Sequence, residues 1–459
     1  MLEKRLKQID NKSLGAVALL SLALLTACSG GANEAELLTS AKTYLSKNDP
    51  KAATIQLKNA LQKNPESPET RFLLGKSLLA GGDAVGAEVE LRHAWKLKYT
   101  DAQVLPELAR AMLAQGHFKA MTDEMASVNF DDALAMADLQ TSLAAGFVVQ
   151  GARDRAQTAN DKALQLGPKF VPALIMRARL KVAAGEIDNA LQGLQEVIAL
   201  APGNAGAWML RADLLLHAKA DLDGASAAYQ SALRIKPDLV SAHSALIQMQ
   251  FQKNDIPAAT AQYEAMKKAL PNHPDTLLFE AQLALAKKDP KGARALLQKA
   301  LLKHPDHARM LLTAGAVELQ LGAISQAEAY LARAVQLAPN DGGARRLLAR
   351  TQLRGGQPGK AMATLKPMLD SPNVTADILN LAGEAQLGNG DAKASEEYFN
   401  RALRLRPADA RARTALALVQ VAKGNADVGM SELRLIASSD NGISADLAPD
   451  QHPAAPRRL

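Results

Sequence analysis

The chain has 459 residues, of which 48% are hydrophobic, 22% charged and only 3% aromatic. Alanine and leucine dominate the apolar set, and both favour helices, so composition excludes a mainly β protein. A formal net charge of +7 is a mild excess over this length, and a single cysteine excludes an intramolecular disulfide and cysteine-based zinc sites.

The N-terminus reads as an address. Lys4, Arg5, Lys7 and Lys12 precede an apolar run from Leu14 to Leu25. About twelve residues are too few to span a bilayer as a helix, which takes roughly twenty. Leu25-Thr26-Ala27-Cys28 follows and resembles a bacterial lipobox. The resemblance implies that residues 1–27 are a signal peptide and that Cys28, the only cysteine, receives the lipid. Ser29, where inner-membrane lipoproteins tend to carry Asp, implies an outer-membrane protein facing the periplasm of a Gram-negative bacterium. Residues 28–33 would be the lipidated cysteine and a short tether.

From Glu34 onward one period governs the chain. Pro65, Pro168, Pro202, Pro237, Pro271, Pro305, Pro339 and Pro407 are separated by 103, 34, 35, 34, 34, 34 and 68 residues. Alanine pairs keep the register: Ala53 and Ala60, Ala156 and Ala163, Ala225 and Ala232, Ala293 and Ala300, Ala327 and Ala334. A small residue recurs earlier in the unit (Ala41, Ala144, Ala178, Ala281, Gly315, Gly383). A bulky one stands three before the second alanine (Leu57, Tyr263, Leu297, Leu331, Phe399). Small residues at positions 8, 20 and 27 with proline at 32 match the 34-residue tetratricopeptide pattern. Two antiparallel helices cross closely there, and any side chain beyond a methyl would push them apart.

The expected fold is all-α: a right-handed superhelical solenoid of about twelve such helix-turn-helix units over residues 34–438. Asp49-Pro50 and Asp289-Pro290 predict capped starts for second helices, and glycines such as Gly82, Gly322 and Gly390 mark the preceding turns. The unit at about 102–136 is irregular, since Met121 replaces its alanine. Residues 128–132 are the expected break between two subarrays. Residues 439–459, with Pro449, Pro453 and Pro456, read as a disordered tail. No polar capping helix is evident. Either the tail caps irregularly or the chain is a shortened form of a longer array.

Two stretches narrow the resemblance: Ala35-Glu36-Leu37-Leu38, and Lys51 to Leu61 (KAATIQLKNAL). Together with Phe72-Leu73-Leu74-Gly75 and residues 86–91 (GAEVEL), they are similar to the tetratricopeptide-repeat lipoproteins of exosortase/PEP-CTERM systems. The resemblance implies a part in exopolysaccharide production and in the sorting of PEP-CTERM proteins. The partners would be proteins of that system, and the membrane would be met through the N-terminal lipid.

The sequence carries no phosphate loop, dinucleotide turn, HExxH or GxSxG motif, so no enzyme, cofactor or metal site is expected. His304 and His307 flank Pro305 but lack a third ligand. The surface expected to carry function is the groove lined by first helices. Arg346, Arg350 and Arg354, spaced by four, share one helical face there, and Arg309 and Arg411 occupy nearby groove positions. Two readings stand open: a solvated stripe paired to acids, or a face for carboxylates or phosphates. Phe72, Leu79, Ile175, Met209, Leu278 and Leu312 are apolar groove candidates suited to a peptide or partner helix. The leading expectation is therefore a protein-interaction scaffold. The alternatives are a direct acidic-polysaccharide binder, which the scarcity of aromatics disfavours, and an outer-membrane or pilus assembly lipoprotein. Nucleic acid is not expected in that compartment.

Overall fold

The computed structural model describes residues 32–438. Cys28 and the tail beyond 438 lie outside them. The described residues form twenty-four helices and no strand, which alternate as first and second helices of twelve repeats. In chain order, α1 (Glu34–Ser46) pairs with α2 (Pro50–Lys63), and α3 (Pro68–Ala80) with α4 (Ala84–Lys96). Next come α5 (Asp101–Ala114) with α6 (Phe118–Met125), and α7 (Ala133–Val149) with α8 (Arg153–Leu166). Then follow α9 (Val171–Ala183) with α10 (Ile187–Leu200), then α11 (Ala205–His217) and α12 (Leu222–Ile235). α13 (Val240–Gln252) pairs with α14 (Ile256–Ala269), and α15 (Pro274–Ala286) with α16 (Pro290–Lys303). α17 (Ala308–Gln320) pairs with α18 (Ile324–Leu337), and α19 (Gly342–Arg354) with α20 (Pro358–Leu369). The last pairs are α21 (Ala376–Gly388) with α22 (Ala392–Leu405), and α23 (Ala410–Ala422) with α24 (Ala426–Ser438).

The repeat positions do what the pattern requires. Ala53, Ala156, Ala225, Ala293 and Ala327 are fully buried at the helix crossings. Gly75 shows why the first-helix position must be small: a Cβ there would come within 2.5 Å of Leu91 Cγ. At Gly383 it would lie 2.7 Å from the ring of Phe399. Asp49 and Asp289 cap α2 and α16, accepting from the N–H groups of Ala52 and Gly292, with proline at the first helical position. Gly82 holds the turn before α4 at φ +87°, in the left-handed region that suits glycine.

The single 35-residue spacing has a local cause. First and second helices are normally joined by three residues, as at 47–49 and 81–83, but four residues, 218–221, join α11 to α12. The Asp83 N–H donates to the carbonyl of Leu78, five residues back, at 2.9 Å; the Asp221 N–H reaches six back, to Leu215, at 2.8 Å. One inserted residue is absorbed in the turn and leaves both helices intact.

The chain divides into two compact units between Leu214 and Leu215, inside α11. This corrects the break expected at residues 128–132. In the first unit a core built from Leu91, Leu108, Met112, Met121, Met136 and Phe147 runs from α3 to α8, and Val128 and Phe130 pack against it. The stretch is irregular but not a boundary. α6 spans only eight residues, and Met121 fills the alanine position. The next helix answers with Gly146, where a Cβ would come 2.5 Å from Met121 Cε. Unbranched methionines adapt to such irregular gaps. In the second unit the core is a series of smaller clusters, one around Leu278, Leu297 and Met310 and another around Phe399, Leu379 and Ala412.

Candidate functional site

First helices of successive repeats adjoin within each unit. Their shared face carries a ladder of ion pairs from one repeat to the next. In the first unit, Lys42 of α1 meets Glu69 of α3 at 2.8 Å, and Lys76 of α3 lies 3.9 Å from Glu107 of α5. Arg110 of α5 bridges Glu107 at 2.8 Å and Asp138 of α7 at 2.7 Å. Burial pushes the Asp138 carboxyl above its usual range although Arg110 pulls it down.

The predicted arginines of the second unit fall on the same kind of face, and most meet acids. Arg309 of α17 donates to Asp275 of α15 at 3.1 Å. Arg411 of α23 donates through Nε and Nη2 to Glu384 of α21, at 2.9 and 2.7 Å. Arg346 of α19 approaches Asp377 of α21 at 3.9 Å, and Arg406 holds the same carboxylate at 2.8 Å. Arg350 is half-buried and also engaged, while Arg354 is exposed in the last turn of α19. Arg309 and Arg411 are thus paired with acids across helices, whereas Arg346 shares Asp377 with Arg406.

The apolar candidates divide. Leu312 is partly buried at the edge of the core cluster, and Leu79, Ile175 and Met209 are likewise only half-covered. Leu278 is a correction. It is fully buried among Ala281, Leu297 and Met310 and presents nothing to a partner. Phe72 is similarly drawn inward, stacking on Tyr99 with ring centroids 5.0 Å apart. Arg346 holds the equivalent place in its repeat and remains exposed. Its long stem carries the guanidinium out to water, whereas Leu278 and Phe72 at that place pack inward and Leu312 there stays half-covered.

His307 caps α17, its Nδ1 accepting from the N–H of Met310 at 3.2 Å, so it is a structural residue of the turn. Among the described residues no cluster of three or more His, Cys, Asp or Glu is placed to hold a metal, and no helix is long and apolar enough to cross a membrane.

A cleft of about 640 Å³ was not foreseen from sequence. It is lined by Arg234, His243, Gln262 and Lys268 of α12 to α14. His243 donates from Nε2 to the carbonyl of Pro237 at 2.9 Å and accepts at Nδ1 from Gln262 at 2.7 Å. Burial lowers its pKa and keeps it neutral.

Two tetratricopeptide-repeat models match the sequence, one at residues 38–94, 175–240, 280–342 and 380–442, the other at 318–384. The chain belongs to the tetratricopeptide-repeat family. Proteins of this kind are generally non-enzymatic scaffolds that bind other proteins. No curated protein matches the sequence significantly. Among solved structures, a tetratricopeptide repeat protein from Parabacteroides merdae is similar at 18% identity with a TM-score of 0.41, covering 55% of this chain and all of that one. PilF of Pseudomonas aeruginosa is similar at 18% identity and a TM-score of 0.40, over 45% of this chain and 94% of that one. MamA from Desulfovibrio magneticus is similar at 20% identity and a TM-score of 0.34, over 36% of this chain and 97% of that one.

Proposed function

We propose that this tetratricopeptide-repeat protein is a periplasm-facing lipoprotein of the outer membrane, anchored through Cys28. Its first-helix faces hold partner proteins of an exopolysaccharide-export and PEP-CTERM sorting system. The observation that favours a protein partner over an acidic polymer is that acids stand among the arginines of that face. Arg309, Arg346 and Arg411 each approach a carboxylate on a neighbouring first helix. A polyanion would have to displace those carboxylates, whereas a polypeptide can meet a face of alternating sign and half-covered apolar residues such as Leu312.

In-cell photo-crosslinking tests this reading. A photoreactive residue at position 312 should capture a discrete protein, and one at position 188, on a second helix, should not. Capture should persist in high salt, where an acidic polymer would be screened off. Labelling with a palmitate analogue should be lost in Cys28→Ser. Failure to capture protein at 312, with salt-sensitive retention of polysaccharide instead, would overturn the scaffold reading in favour of the polymer.

A further inference from the structure

The second helices of the first two repeats differ from the others at two outward positions. The second and sixth residues of each second helix point away from the partner first helix. In α2 and α4 these positions are Lys51, Ile55, Val85 and Val89, all exposed; Ile55 retains 60%, Val85 64% and Val89 49% of its surface. None of the other ten second helices carries Val, Ile, Leu, Met or an aromatic residue at either position. The third repeat has the ion pair Lys119–Asp123 there, and later ones have residues such as Asp154 and Thr158 or Asp188 and Gln192. The apolar patch is therefore not a requirement of the repeat.

Its surroundings are basic. α2 contains no acidic residue, and Lys51 and Lys58 stand on the same stripe as Ile55, with Lys63 near its end. On α4 the stripe through Val85 and Val89 ends at exposed Lys96. The carboxylates of α4 and the capping aspartates of both helices are engaged. Glu88 is held by Arg92 and His117, Glu90 by Arg71, and the capping Asp49 and Asp83 accept backbone N–H groups of their own helices.

We propose that this face of α2 and α4 seats against an anionic lipid surface. Branched apolar side chains enter the boundary between headgroups and acyl chains, and the surrounding lysines meet lipid phosphates. The position along the chain agrees: only five residues separate Cys28 from α1. The inference deepens the membrane-anchored reading and rests on it for the location. It predicts that the lipid does not merely tether the array but that the first two repeats lie on the membrane.

The test omits the lipid, so the two ideas fail separately. A chain beginning at Ser29 retains every described helix. It should co-sediment with vesicles of phosphatidylethanolamine and phosphatidylglycerol, and bind phosphatidylcholine vesicles about tenfold more weakly or worse. Each basic residue near an anionic surface contributes about fivefold in affinity, so Lys51→Gln with Lys58→Gln should weaken binding by about 25-fold and reduce its salt dependence. Replacing Ile55, Val85 and Val89 together by Ser should weaken binding by at least about tenfold without changing the circular dichroism. Asp188→Asn with Gln192→Ser, at the matching positions of α10, should change nothing. The proposal is overturned if the wild type ignores anionic vesicles, or if the lysine and the apolar variants both bind as the wild type does.

Discussion

Asn160 occupies the position that Leu57, Tyr263, Leu297, Leu331 and Phe399 fill in other repeats. It is completely buried, and neither its amide nitrogen nor its oxygen has a hydrogen-bond partner. Taking an amide out of water without replacing its hydrogen bonds costs about 1–3 kcal/mol. Asn160→Leu should therefore raise the stability of the first unit by roughly that amount, read as a higher urea midpoint at unchanged slope. A lower midpoint would mean that the amide is satisfied in a way its surroundings do not reveal. The same scale explains Leu278. Its place in the period matches that of Arg346, but its short apolar side chain completes the core around Met310, so its mutation would report on folding rather than on binding.

Between helices, the close crossings set the tolerance of each repeat. Ala300 on α16 packs within the cluster of Leu278, Leu297 and Met310 and is only 3% exposed. Overpacking a tight contact costs roughly 1–3 kcal/mol, and an indole is far larger than a methylene, so Ala300→Trp should fall at or beyond the upper end. In a repeat array each element contacts only its neighbours, so the damage should stay local. Amide hydrogen exchange should accelerate in α15 to α17 and remain unchanged in α1 to α4. Uniform acceleration throughout the chain would contradict nearest-neighbour packing. The extra residue at 218–221 makes the complementary point: an insertion confined to a turn leaves the helices on either side intact.

Over the whole chain, protonation couples to stability in two windows. Burial holds His243 and His307 below the ordinary histidine value, and each uses a neutral Nδ1 as an acceptor. The unfolded chain takes up those protons near pH 6.5 while the folded chain does not, so stability is full above that pH and falls as pH drops through it. Glu34 and Glu396, held low chiefly by hydrogen bonds, lose their contribution only at a lower pH, near the ordinary carboxylate range. Urea midpoints should therefore begin to fall between pH 7 and about pH 5. Replacing both histidines by Gln should flatten that limb and leave the acid limb in place. An unchanged profile in the double variant would assign the limb to other groups.

Helix content, the repeat, its register and its capping aspartates were legible in the sequence. They depend on local geometry: a 34-residue period, methyl-sized residues at crossings and proline after Asp. The signals around Met121 pointed to an irregular unit, where α6 spans eight residues. Whether the irregularity divides the chain was a matter of packing, and Phe130 and Gly146 keep the core continuous across it. The arginines were visible as spacing, but the acids that meet Arg309 and Arg411 were not. Asp275 lies 34 residues before Arg309, and Glu384 lies 27 before Arg411, so only the stacking of successive first helices brings each pair together. Sequence periodicity determines which helical face a residue occupies. Tertiary structure alone decides what lies opposite that face, and therefore which side chains remain available to a partner.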